Sequence, residues 1–290
     1  MEMPIHLFGL TRDELTAELS RRYGRGRYHA AALYREIFQR GNPDWHRAPE
    51  FVASPKLTRP LREALDAAIP EPWRTVRDGS VTKLVTRLDD GARIESVVIP
   101  GHGRATLCVS CQVGCRMGCV LCETGRMGLH RNLLAHEIVG QVMTARFRLG
   151  VPVRNVVFMG MGEPFDNFEA VMNAVRVIRE PAGLRIAPRH VTVSTAGIVP
   201  GIRRLAEMPP PRPKLAVSLN AGDDATRSRL MPVNRRYPMD DLGHSTPPPD
   251  AVDRFARWLV AEGVFVRGRS PRGRGVMAAC GQLGGGGIRD

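Results

Sequence analysis

Lysine is nearly missing from this 290-residue chain and occurs only at Lys56, Lys83 and Lys214. Cysteine is scarce too, with six in all, and aromatic residues make up 6%. So few cysteines exclude a small disulfide-stapled secreted scaffold, which needs a dense framework of bridges. No stretch approaches the roughly 18 uninterrupted apolar residues that a helical membrane span requires. The opening segment MEMPIHLFGLTRDELT lacks the basic region and apolar run of a secretory signal. The expectation is a cytoplasmic protein with no membrane partner. In that compartment thiols stay reduced, and clustered cysteines more often mean metal than disulfide.

What is abundant is arginine. Lys and Arg total 42 against 29 Asp and Glu, a formal charge of +13. Such an excess points to a polyanionic partner, with RNA the leading candidate. An Arg-rich proteome is the plainer source of the same excess, so charge alone does not decide. Hydrophobic residues at 43% and charged residues at 24% are ordinary for a globular protein with a sizeable core.

Residues 1–75 read as a small helical module. Thr11 and Glu14 have the spacing of a capping box that opens the amphipathic stretch TRDELTAELSRRY. A second helix is expected over residues 29–40, with Leu33, Ile37 and Phe38 on one face and Gly41 as its stop. Residues 76–103 read as a β-hairpin linker, in which TKLVTRLDDGARIESVVIP alternates around an Asp90-Gly91 turn. From residue 104 to 242 strand and helix alternate. ATLCVS, NVVFMG, HVTVST and KLAVSL suit parallel strands, and a helical stretch follows each. Four such units imply an α/β protein of open or closed (β/α) barrel type, in which chemistry gathers at the C-terminal strand ends. Over residues 243–290 the alternation fails, and the sequence reads as a loop, a helix AVDRFARWLVAEG, a final strand VFVRGR and a tail rich in Gly and Arg.

Five of the six cysteines stand in CVSCQVGCRMGCVLC, Cys108 to Cys122, and the sixth is Cys280 in AACGQL. Two partitions compete. Cys108-x2-Cys111 with Cys119-x2-Cys122 has the look of a four-cysteine zinc site, although the gap is short against the roughly 15–20 residues between zinc-ribbon pairs. Cys115-x3-Cys119-x2-Cys122 instead places three thiolates on one tight loop after a strand. Three thiolates can ligate three irons of a [4Fe-4S] cube and leave the fourth open to chelate S-adenosylmethionine (SAM). Further candidates sit at later strand ends. MGMGEPFDN offers Gly162 for close backbone approach and Glu163 as an acceptor for an amino group. STAG and SLNA end the next two strands in small hydroxyl and amide groups, whose plainer use is to cap the following helix.

Taken together, LCVSCQVGCRMGC, RNLLAHEIVGQV, VVFMGMGEPFDN, VTVSTAGIVPG, LAVSLNA and AACGQL resemble the RlmN/Cfr family of radical-SAM RNA methyltransferases. The resemblance runs from the N-terminal helices through RLMPVNRRYPMDDL and resumes at DRFARWLVAEG. It implies a partial (β/α)6 radical-SAM barrel, a [4Fe-4S] cluster on Cys115, Cys119 and Cys122, and SAM contacts from Gly162, Glu163, Ser194, Ser218, Leu219 and Asn220. It implies that Cys280 carries a methyl group to carbon 2 of adenine, that Glu95 accepts the ring proton, and that Cys108 then forms a disulfide with Cys280. The family's substrates imply 23S rRNA and tRNA as partners, with an electron donor such as flavodoxin and a monomeric enzyme.

Three departures accompany the resemblance. Cys280 follows Leu242 by only 38 positions, where the family carries about two further βα units. SLNA stands for the usual SLHA, and Cys111 stands where Ser is usual. A shortened, non-catalytic RNA-binding relative, or a radical-SAM methylase of another RNA specificity, is the alternative reading.

Overall fold

The computed structural model describes residues 3–242. Cys280, and the helix and final strand expected after Leu242, lie outside the described residues.

The N-terminal segment begins with a two-residue strand β1 (Ile5–His6), followed by α1 (Arg12–Tyr23) and α2 (Arg27–Leu33). The capping box at Thr11 is formed in both directions, which satisfies backbone donors that the first turn leaves open, and Gly24 at φ +63° ends the helix. The helix expected over 29–40 is present, but its second half, Tyr34–Gln39, is wound as a π-helix. Leu33, Ile37 and Phe38 are buried as that spacing predicts. Two short helices, α3 (Pro49–Val52) and α4 (Pro55–Ala64), lead into β2 (Leu65–Asp66), which pairs in parallel with β1.

A seven-stranded mixed sheet forms the centre of the molecule. It takes in β3 (Pro72–Asp78), β4 (Val81–Arg87), β5 (Arg93–Gly101), β6 (Arg104–Cys108) and three strands from the later βα units. The hairpin forms where Asp90-Gly91 predicts, with Gly91 at φ +84° and the Asp90 side chain accepting from Ala92 N at 2.9 Å. It is hydrogen-bonded edge to edge with β6, so hairpin and βα units share one sheet. The added strand β3 lies at the outer edge and half in solvent, which leaves its apolar alternation weak.

After β6 the chain makes a small hairpin, β7 (Gln112–Cys115) and β8 (Gly128–Asn132), around the short α5 (Glu123–Arg126). Regular βα alternation then resumes. The elements are α6 (Ala135–Met143), β9 (Val153–Phe158), α7 (Phe168–Arg179), β10 (Val191–Thr195), α8 (Val199–Glu207), β11 (Lys214–Val217) and α9 (Asp224–Leu230). The strand order is β11-β10-β9-β6-β5-β4-β3, with β6, β9, β10 and β11 parallel. The parallel strands β9 and β10 bury Val156, Phe158, Val191 and Val193, and α6 and α7 bury Ile138, Val139, Val142, Val171 and Val175. One continuous core joins these residues to Leu15, Leu33 and Phe38 of the N-terminal helices. The parallel strands therefore point their C-terminal ends the same way, and the sequence motifs fall there.

Candidate active site

Three residues, Val109 to Cys111, connect β6 to β7 and are pinned on both sides. Val109 N donates to Val157 O at 3.0 Å, Cys111 N to Met161 O at 2.8 Å, and Gln141 makes two bonds with the Ser110 backbone at 2.9 Å. Ser110 Oγ donates to Glu95 O and accepts from Met161 N. The loop after β9 lies directly on this connection. A Cβ on Gly162, which sits at φ +102°, would stand 2.6 Å from Gln112 Cβ, and one on Gly160 would stand 2.6 Å from Val109 O. The close approach that Gly162 permits is therefore to Gln112. Gly162→Ala combines an αL-side backbone with that clash and is expected to cost about 1–3 kcal/mol, read as a lowered urea midpoint at unchanged slope.

Cys115, Cys119 and Cys122 lie on the turn that β7 opens. Gly118 at φ +64° lets the chain reverse, Cys122 N donates to Cys119 O at 3.1 Å, and Arg126 N donates to Cys122 O at 3.2 Å. Val120 N donates to Leu230 O at 2.9 Å, which fastens this turn to the end of α9. Burial, reinforced by the neighbouring acidic groups and thiols, pushes the Cys115 thiol up to about 12 and the Cys119 thiol up to about 11. A cation that binds here must displace protons, and the charge it brings offsets the desolvation of the thiolates. Among the described residues no three His, Cys, Asp or Glu side chains converge on one ion position. A cube takes each thiolate to a different iron and needs no common point, so these three cysteines fit such a cluster. Cys111 is differently placed. It is buried in the apolar core at 2% exposure, its carbonyl accepts from Asn167 Nδ2 and Leu133 N, and burial holds its thiol well above the usual range. It serves as a small core residue. None of the five described cysteines is in a disulfide.

The next strand ends supply polar groups. Glu163 is 3% exposed, and its two carboxylate oxygens accept from Phe165 N at 3.0 Å and Ala196 N at 2.7 Å, which ties the end of β9 to that of β10. Gln112 Oε1 accepts from Glu163 N at 2.8 Å. Burial raises the Glu163 carboxyl to about 7 against the pull of its hydrogen bonds. A carboxyl raised on folding holds its proton more tightly in the native state. Its contribution to stability is full below about 4.5 and is lost as pH rises toward 7. From about pH 5 to about pH 8 the metal-free protein is therefore expected to lose more stability than Glu163→Gln, read by urea melts.

Ser194 and Ser218 stand side by side on β10 and beyond β11, with their hydroxyls 3.4 Å apart. The Thr195 hydroxyl accepts from Gly197 N and Ile198 N in the turn before α8, whose N-cap Ile198 has no side-chain cap bond, so Ser194 is not spent on capping. Asn220 sits at φ +59° beyond Leu219, with its amide against Met231 Sδ at 3.1 Å.

Two further residues complete the site and were not singled out by sequence. Arg227 of α9 is fully buried. Its guanidinium donates to the carbonyls of Ala196, Ser218, Leu219 and Tyr237 and to Asn234 Oδ1. One side chain thus gathers the ends of β10 and β11 and the segment after α9. Burial lowers its basicity, which Asp224 and Cys119 partly restore, so its charge is felt at the cysteine turn. Lys83 is the other. Its ammonium lies 3.1 Å from Glu95 Oε1, with the two side chains 3% and 0% exposed. Lys83, Val97 and Cys108 are register partners across β4, β5 and β6, and Glu95 is two residues from Val97. Lys83, Glu95 and Cys108 therefore share one face of the sheet. The signals were present: Lys83 is one of three lysines, and Arg227 belongs to the helical stretch DATRSRLM.

A model of the Radical SAM superfamily matches residues 109–242. The chain is 34% identical, over 338 aligned positions, to the probable dual-specificity RNA methyltransferase RlmN 1 of Protochlamydia amoebophila, covering 97% of this chain and 94% of that protein. It is 36% identical to the dual-specificity RNA methyltransferase RlmN of Geobacter sulfurreducens, covering 98% and 93%. Among solved structures, a radical SAM methyltransferase from Sphaerobacter thermophilus superposes with a TM-score of 0.83 at 34% identity, covering 97% of this chain and 99% of that one. With its cysteine turn, its Glu163 loop and its serine pair set on the ends of a mixed α/β sheet, the chain belongs to the RlmN/Cfr family of radical SAM RNA methyltransferases.

Proposed function

We propose that this chain methylates carbon 2 of an adenosine in RNA, in 23S rRNA and in tRNA, by way of a methyl group carried on Cys280. The observation that carries this reading is the gathering of Cys108, Glu95 and the Cys115–Cys119–Cys122 turn at the strand ends that also bear Glu163, Ser194 and Ser218. In this reading Cys115, Cys119 and Cys122 hold a [4Fe-4S] cluster, and Gly162, Glu163, Ser194, Ser218, Leu219 and Asn220 form the bed for SAM. Together these cofactors supply the power to abstract a hydrogen atom from a methyl group.

The protein's own residues do the rest. Carbon 2 of adenine is not nucleophilic, so the methyl group travels on the Cys280 sulfur. Glu95, fully buried beside Lys83 and out of reach of bulk water, accepts the ring proton. Cys108 then gives up its thiol proton and attacks the Cys280 sulfur. A sulfur–sulfur bond forms as the carbon–sulfur bond breaks, the product carbon takes up a proton to become the methyl group, and a thiol reductant returns both cysteines to thiols. A low-potential donor such as flavodoxin supplies electrons, and the enzyme acts as a monomer. The barrel is a partial (β/α)6 type that lacks about two βα units between Leu242 and Cys280. Alignment with the Protochlamydia relative over 338 positions, against 290 residues here, supports internal shortening.

Anaerobic reconstitution with iron and sulfide tests the cofactor assignment. The expected result is about four iron atoms per chain and an optical spectrum that changes on adding SAM. Alanine at Cys115, Cys119 or Cys122 is expected to remove most of that iron, whereas Cys111→Ala leaves it. Absence of a cluster in the unsubstituted protein, or a spectrum indifferent to SAM, contradicts the reading.

A further inference from the structure

A second cationic feature lies at the opposite end of the strands. A cavity of about 630 Å³ opens where β6, β9 and β10 begin, and Arg104, Arg146, Arg154, Arg185, Arg189 and His190 line it, with no Asp or Glu among its lining residues. Arg104, Arg154, Arg185 and Arg189 are solvent-exposed, and Arg146 is half-buried.

Several arginines elsewhere among the described residues are matched to acids, as in Arg35 with Glu50, Arg131 with Glu137 and Arg176 with Glu14. None of the five at this cavity is in an ion pair among the described residues. An Arg-rich composition explains many arginines but not their collection around one hollow without counter-charge. Two of the five spend donors on the backbone: Arg146 donates to Val153 O and Arg185 to Pro181 O. The remaining guanidinium groups keep their planar forks for an external ligand.

His190 reports on the same potential. Its Nδ1 is 2.7 Å from Asn155 Oδ1, while its Nε2 is buried without a hydrogen-bond partner. Its basicity is lowered first by burial and then by Arg189, Arg154, Lys214 and Arg104. Four cations from four separate segments thus act on one point.

We propose that this cavity binds phosphate groups of the RNA backbone, as a second RNA contact remote from the cysteine turn. Guanidinium forks match phosphate oxygens two at a time, and the collected charge attracts a polyanion most strongly at low salt. β6 and β9 have five and six residues, and at ~3.3 Å per residue the cavity lies about 15–20 Å from the strand ends that carry the site. A folded RNA can span that distance, so the contact selects for structured RNA without reading bases. This inference rests on the RNA-methyltransferase reading above.

The test is the salt dependence of binding to a fluorescently labelled RNA hairpin, followed by anisotropy. Three proteins are compared: the unsubstituted chain, Arg104→Gln/Arg154→Gln/Arg189→Gln, and a control of equal charge, Arg74→Gln/Arg77→Gln/Arg203→Gln. Loss of three phosphate contacts is expected to flatten the slope of log affinity against log salt by about 2–3 and to weaken binding about 100-fold at low salt. The control is expected to stay within a few-fold of the unsubstituted chain. Equal affinity and slope for the cavity variant overturn this proposal alone. The same holds if inorganic phosphate raises the melting temperature of the unsubstituted protein but the cavity variant still binds RNA normally, which marks a small-anion site. No RNA binding by the unsubstituted chain overturns this proposal and the parent reading together.

Discussion

Lys83→Met is expected to destabilise the protein by about 3–5 kcal/mol and to abolish RNA methylation. The side chains of Lys83 and Glu95 are 3% and 0% exposed, and their charged atoms are 3.1 Å apart. Two charges taken that far from water repay their desolvation only through each other, so removing one strands the other. At ~2–4 °C per kcal/mol for a chain of this size, the melting temperature falls by about 10 °C. The second substitution distinguishes the pair from simple packing. Lys83→Met/Glu95→Gln removes both charges and is expected to recover most of the lost stability, because a neutral pair is often no worse than a buried ionic one. On the proposed role of Glu95 it is not expected to recover activity, since glutamine cannot accept a proton from the ring. A single variant that melts within about 2 °C of the unsubstituted protein contradicts the buried pair.

Arg227→Met carries the other large effect. The substitution keeps the apolar stem and removes the guanidinium, leaving the carbonyls of Ala196, Ser218, Leu219 and Tyr237 and the amide oxygen of Asn234 without that donor. Unsatisfied buried acceptors cost about 1–3 kcal/mol each, partly relieved by relaxation and water, so a net loss of about 3–5 kcal/mol is expected. Because these carbonyls sit beside Ser194, Ser218 and Asn220, the proposed SAM bed predicts that SAM affinity falls as well. Arg227→Lys is not expected to restore either property. A single ammonium cannot reproduce a planar fork that reaches two strand ends and the following loop at once. Urea melts give the stability, and equilibrium dialysis of SAM on the reconstituted protein gives the affinity. If Arg227→Lys matches the unsubstituted protein in both, a point charge is enough and the staple is not a fork.

Much of this architecture is legible in the residues before any coordinates. The capping box at Thr11, the Asp90-Gly91 hairpin and the four strands ATLCVS, NVVFMG, HVTVST and KLAVSL all form where their local chemistry predicts. What escaped has physical causes. β3 is an exposed edge strand, so its alternation of apolar and polar residues is weak. The β7–β8 hairpin is hidden by its glycines, two of which take φ values of +77° and +70° that no propensity for strand anticipates. Lys83 sits in a strand buried at Val81, Leu84 and Val85, and a lone lysine in such a run ordinarily marks the solvent face. Only the register across β4, β5 and β6 reveals that it faces Glu95. Arg227 meets carbonyls as far as 31 residues away, and backbone acceptors carry no residue code.

Gly162 shows a similar limit. A glycine at a strand end reads equally as room for a ligand or room for a neighbour, and here the neighbour is Gln112. The cysteines divide in the same way. Spacing alone allowed Cys111 to pair with Cys108, Cys119 and Cys122, but burial in the apolar core sets it apart from the turn.

The central claim is that a methyl group passes through Cys280 to carbon 2 of adenine. Mass spectrometry of nucleosides from rRNA and tRNA tests it most directly, using a strain that lacks this gene and carries either the unsubstituted chain or Cys280→Ala. The account predicts that 2-methyladenosine is absent from the deletion strain, returns with the unsubstituted chain and stays absent with Cys280→Ala. Return of 2-methyladenosine with Cys280→Ala would contradict it.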